Sequence, residues 1–176
     1  MNHIRSIALA LTALVLFAAV PGVEFVCAQT RRPVSPAPEV NLSVGGEVAR
    51  PVKLTAADLS KLPRRTVRVS DHGTEAVFEG VPLGEVLKLA GLEFGETLRG
   101  KRLETYLLVE AADGYRAVFA LPELDPAFTD KVVLLADKRD GKSLAGTEGA
   151  LRIVVPDERR HGRWVRQVVS LIVRRA

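Results

Sequence analysis

An α+β domain with strands in the majority is what residues 40–176 predict, and three observations carry that reading. Short alternating or β-branched runs recur at 66–70, 105–111, 115–120, 132–136, 151–155 and 164–173. Helix signals stand only near 55–62 and 82–90, with one further helical turn at 122–124. Strands and helices do not alternate in the regular β-α-β order of a doubly wound sheet. A mixed, strand-rich frame with two or three short helices follows.

In chain order, residues 40–48 alternate around Leu42 and Val44 and predict a first strand pair that turns at Gly45-Gly46. Thr55 is placed to cap a short helix, with Asp58 three residues on near the positive end of the helix dipole; Pro63 ends it. Residues 66–70 form a strand with Val67 and Val69 on one face. Asp71-His72-Gly73 turns it back into a strand over 76–78. Pro82 suits the first turn of the clearest helix, where Leu83, Val86, Leu87 and Ala90 share a face and Gly91 is the stop. Ala112-Asp113-Gly114 between two apolar runs is a hairpin signal. Residues 132–136 and 151–155 read as buried strands. Residues 164–173 make the last one, with Val165, Val168 or Val169, Leu171 and Val173 available to the core. Trp164 reads as a core or rim anchor.

Ahead of this domain lie two segments of different composition. Residues 1–28 have a basic start at Arg5, an apolar run from Ile7 to Val20, and Val26-Cys27-Ala28 before a cleavage point after Ala28. That is the layout of a Sec-type secretory signal peptide, which predicts a periplasmic or secreted protein. The apolar run is short for a membrane span and is broken by Pro21, Gly22 and Glu24, so membrane attachment would require the segment to be retained. Residues 29–39, with Pro33, Pro36 and Pro38, read as a Pro-rich linker. The only cysteine, Cys27, precedes the cleavage point, so a disulfide, a zinc-thiolate site and a cysteine nucleophile are not expected in the mature chain. Val26 stands where a lipid-attachment signal has a small residue, which argues against acylation of Cys27.

The net charge of +4 can draw anionic ligands. With aromatic residues at 5% there is little to stack on bases, and nucleic acid is not an expected partner. His72 is a candidate ligand contact on a loop between strands, and equally a turn residue. Residues 157–163 form a basic loop in which Gly162 and Arg163, with Arg166 beyond, could hold an anionic group; Asp157 and Glu158 could instead neutralise Arg159 and Arg160 locally. His72 and His161 could form a metal pair with a carboxylate, but with three His in all, one of them His3 in the signal segment, no metal site is expected. Asp113-Gly114-Tyr115 reads as a turn before a pocket wall. There is no Gly-x-Ser-x-Gly, no phosphate-cradling glycine loop and no telling carboxylate pair, so no catalytic residue is assigned.

The motif series Gly46-Glu47-Val48, Leu54-Thr55-Ala56-Ala57-Asp58-Leu59, Phe78-Glu79-Gly80-Val81-Pro82-Leu83 and Leu87-Lys88-Leu89-Ala90-Gly91 continues with Ala112-Asp113-Gly114-Tyr115, Leu151-Arg152-Ile153-Val154-Val155-Pro156 and Gly162-Arg163-Trp164-Val165-Arg166. In order and spacing it resembles the molybdopterin-binding domain of the sulfite oxidase-like oxidoreductases, over residues 40–176. The resemblance implies that fold and, in catalytic members, a molybdenum–pterin cofactor. There a cysteine thiolate from the loop after the strand matching 66–70 holds the metal, and a Gly-x-Lys/Arg segment matched by Gly162, Arg163 and Arg166 faces the pterin phosphate. Here that loop reads Ser70-Asp71-His72-Gly73. Arg5 stands alone where cofactor-loaded relatives have a twin-arginine signal. Both departures predict a non-catalytic binding or accessory module with no resident cofactor, serving an anionic small molecule or an envelope or redox partner. The alternatives are an active molybdopterin enzyme with an atypical metal ligand, and a cell-envelope interaction domain.

Overall fold

Burial with a period of two builds the frame. In β5 (Thr105–Ala111), Thr105, Leu107, Val109 and Ala111 are buried while the residues between them are half-buried. The computed structural model describes residues 39–176; the expected signal segment and all but the last residue of the linker lie outside the described residues.

Two five-stranded sheets result. The first has the order β2 (Val52–Leu54), β1 (Leu42–Gly46), β10 (Val168–Arg175), β5, β6 (Arg116–Ala120), with only β1 and β10 parallel. The second runs β3 (Arg65–Asp71), β4 (Thr74–Pro82), β7 (Leu134–Arg139), β8 (Lys142–Ser143), and β9 (Arg152–Val154) also pairs with β7. Both sheets and the helix α2 (Leu83–Leu89) contribute to one apolar core that includes Leu42, Phe78, Leu87, Leu107, Leu135, Ile153 and Leu171. This is the strand-rich α+β architecture the sequence predicts, with two α-helices and several single 3-10 turns among the described residues.

Local chemistry sets the element ends. In α1 (Ala56–Ser60), Thr55 and Asp58 form a reciprocal capping box. Hydrogen bonds from the Thr55 hydroxyl and backbone outweigh desolvation and hold the Asp58 carboxyl below its ordinary range. The hairpin between β3 and β4 is a two-residue turn. Asp71 pairs with Thr74, and His72 and Gly73 take φ of 52° and 84°. Positive φ at both central positions is the turn geometry that matches strand twist, and histidine tolerates it better than branched residues do.

Three expectations are corrected. The first strand does not turn at Gly45-Gly46; β1 continues through Gly46 and the chain returns only at Val52. Gly46 is required there for another reason, since a Cβ would lie 2.1 Å from the carbonyl oxygen of Val173. The strand placed at 132–136 begins at Leu134 and runs on into Asp137, Lys138 and Arg139. Those charges are tolerated because Arg64 donates to both oxygens of Asp137, at 3.0 and 2.5 Å, and Arg139 reaches Asp71. The last strand starts at Val168, not Trp164. Trp164 leaves the sheet to bury its ring, its Nε1 donating to the Val155 carbonyl at 3.0 Å, and Gln167 has φ of 51°.

Since the turn holds residue 72 in the left-handed region, His72→Val is expected to cost about 1–2 kcal/mol in urea unfolding. His72→Asn, which suits that conformation, should stay within about 0.5 kcal/mol of wild type.

Candidate functional site

Charge is the feature that marks one end of the second sheet. Arg152, on β9 among Leu151, Ile153, Val154 and Val155, is 1% exposed. A guanidinium cannot lose its proton there, so it has to be paired. It donates to Asp71 in bidentate fashion, Nη1 to Oδ2 at 3.0 Å and Nη2 to Oδ1 at 3.1 Å, and to Glu148 Oε1. Arg139 Nη1 reaches the same two acids, at 3.0 and 3.3 Å. The guanidinium carbons of Arg139 and Arg152 lie 5.4 and 5.1 Å from the Phe78 ring centre, and that of Arg152 lies 5.3 Å from the Trp164 ring. Burial would push the Asp71 carboxyl up. The hydrogen bonds and charge of Arg152, helped by Arg139 and His72, more than offset it and hold the group below its ordinary range.

Two imidazoles cover this network. His161, on the 3-10 turn His161–Arg163, stacks on Trp164 with ring centres 3.9 Å apart and planes 18° apart. His72, at the tip of the β3–β4 hairpin, meets His161 edge-on at 4.9 Å. His161 Nδ1 and His72 Nε2 lie 3.4 and 3.8 Å from Asp71 Oδ1. A cavity opens on each side of the pair. One, of about 400 Å³, is walled by His72, Asp113, Tyr115, His161, Gly162 and Arg166. The other, of about 520 Å³, takes in Ser70, Gly73, Arg159 and Arg160 with the same two histidines. Tyr115 Oη donates to the Gly162 carbonyl, so Asp113-Gly114-Tyr115 is both a hairpin turn and a cavity wall.

His72, Gly162 and Arg166 are thus brought to one cavity, and Arg163 is not. A 3-10 turn rotates successive side chains by about 120°, which sends Arg163 away from its neighbours. It donates to Glu158, to Glu123 Oε2 at 2.9 Å and to the Val118 carbonyl at 3.2 Å, over the Phe119 ring, beside a separate cavity of about 370 Å³. Partial burial would lower its pKa, but the two carboxylates more than compensate and raise it. Glu158 is therefore spent on Arg163 rather than on Arg159 or Arg160, which are exposed and without an ion pair among the described residues. The acid and guanidinium partners, buried Asp71 and Arg152 with half-buried Arg139 and Glu148, carry the site, and the sequence reading assigns none of them a site role. A lone arginine inside the apolar run 151–155 was the available signal.

The family model described as the oxidoreductase molybdopterin binding domain matches residues 29–176. The chain belongs to that family. Among solved structures, the sulfane dehydrogenase SoxCD from Paracoccus pantotrophus superposes with a TM-score of 0.60 at 23% identity, over 76% of this chain and 37% of that one. The chain therefore spans little more than a third of the SoxCD chain, and the likeness shows a shared sulfite oxidase-type fold. No curated protein matches the sequence. Within this family's fold, the donors at the end of β3 do not fit a thiolate-held molybdenum. No thiol stands among the described residues, and Asp71 offers only hard carboxylate oxygen, three of whose lone-pair positions two guanidinium groups already take.

An Asp71 carboxyl held below its unfolded pKa contributes stability that is present above about pH 4 and lost as pH falls through its folded value. Unfolding free energy is expected to drop below about pH 4, and Asp71→Asn should flatten that part of the profile in urea titrations. Arg163→Ala should lower stability yet leave ligand binding at the His72–Arg166 cavity unchanged, as measured by calorimetry.

Proposed function

We propose that this protein is an exported binding module of the molybdopterin-binding oxidoreductase family that performs no molybdenum chemistry of its own and takes an anionic small molecule. What carries the reading is Asp71. At the end of β3, where the family resemblance implies a metal-holding thiolate, this chain has a carboxylate closed into a bidentate pair with a buried arginine. Hard oxygen and borderline imidazole donors do not supply the electronics that a soft thiolate gives molybdenum.

The anion would enter the cavity walled by His72, Gly162 and Arg166. Arg166 is exposed and offers two parallel N–H groups to a phosphate or carboxylate, and the exposed Arg159 and Arg160 add positive field on the far side of His72. Export rests on the signal-like layout of residues 1–28.

Elemental analysis of protein purified from its native host tests the main point. Molybdenum far below one equivalent is expected, and one equivalent would overturn the proposal. Arg166→Ala is expected to weaken the binding of pyrophosphate, used as an anionic probe, by about tenfold or more, the scale of a lost charged hydrogen bond. N-terminal sequencing of the mature chain should begin at Gln29.

A further inference from the structure

We propose that His72, His161 and Asp71 form a binding site for one borderline divalent cation of the zinc, copper or nickel class. The proposal is independent of the anionic ligand considered above. It starts from the accounting of Asp71. A carboxylate offers about four lone-pair positions. On Oδ2 two are used, by Arg152 Nη1 and Arg139 Nη1; on Oδ1 one is used, by Arg152 Nη2. The fourth, on Oδ1, receives no hydrogen bond among the described residues, although the carboxylate is 4% exposed. Facing it are His161 Nδ1 at 3.4 Å and His72 Nε2 at 3.8 Å. Neither contact is a formed hydrogen bond, and one ligand atom from each of the three residues lies within 4.8 Å of the others.

Those separations are close to what a tetrahedral ion requires. With metal–ligand distances near 2.1 Å, neighbouring ligand atoms stand about 3.4 Å apart. The Asp71–His161 edge already has that length, and the other edges need His72 to swing inward. That side chain is free to do so: it is 68% exposed at a hairpin tip, whereas His161 is fixed against Trp164. A partly preformed site with one adjustable ligand results. The cavities on both sides leave room for a further ligand from solution.

The donor set selects the class of metal. Two imidazoles and one carboxylate oxygen suit zinc, copper and nickel, whereas magnesium and calcium require oxygen throughout. The charges of Asp71 and Glu148 are balanced by Arg139 and Arg152, so the ion brings net positive charge to the site. With Arg159, Arg160 and Arg166 on the rims, an anionic further ligand completes it best.

Zinc titration of the full chain by calorimetry in phosphate-free buffer, with cobalt as a spectroscopic probe of four-coordinate geometry, tests the assignment. One saturable equivalent is expected. His72→Asn, which keeps the turn, and His161→Phe, which keeps the stack on Trp164, should each weaken zinc by at least about tenfold, with unchanged circular dichroism. Cys27→Ser, which removes the only thiol, should bind as wild type does. No saturable equivalent in the wild type, wild-type affinity in both histidine variants, or loss of binding in Cys27→Ser would each overturn it. None of these outcomes depends on whether pyrophosphate binds.

Discussion

The pair between Asp71 and Arg152 is the constraint on which the rest of the molecule turns. It ties the tip of the β3–β4 hairpin to β9, two elements that β7 separates in the sheet. A buried guanidinium without a carboxylate costs several kcal/mol, so β9 fits in the core only while Asp71 and Glu148 are in place. Arg139 on β7 joins the same acids and secures the charged end of a strand that begins among leucines. Trp164 packs over Arg152 and gives His161 its platform. Packing, charge and the placement of both histidines thus share one origin.

The functional reading follows from that origin. Membership of the molybdopterin-binding family fixes the scaffold, and the ion pair decides what stands at the end of β3. A carboxylate locked between two arginines leaves no soft donor there, while the histidines above it and the arginines around it make a polar recess suited to anions. The same recess turns two imidazole nitrogens toward the unfilled side of Asp71. Binding, rather than redox chemistry of its own, is the use we propose for these residues.

Much of the fold was legible because its signals are local. β5 has the expected bounds, the 112–114 turn is a hairpin, and Thr55 caps α1 as its spacing to Asp58 implies. The misplacements have a common cause in long-range contacts. The strand at 134–139 accepts charge only because Arg64 and Asp71 arrive from elsewhere, and Trp164 leaves its strand for a carbonyl on the other side of the 157–163 loop. Asp140-Gly141, with φ of 50° and 75°, is a further local hairpin signal, turning β7 into β8. Of the residues the sequence offers for the site, His72, Gly162 and Arg166 line one cavity. That Arg163 faces away, and that His72 meets His161, depends on a 3-10 turn and a stacked tryptophan that no spacing rule encodes.

The most direct test of this account is a double-mutant cycle on Asp71→Asn and Arg152→Met, read by urea denaturation. A structure that depends on the pair predicts that each single change is strongly destabilising and that the double variant recovers part of the loss, with a coupling of about 1.5 kcal/mol or more. Effects that add to within about 0.5 kcal/mol would contradict it, because independent residues, not a shared buried pair, behave that way.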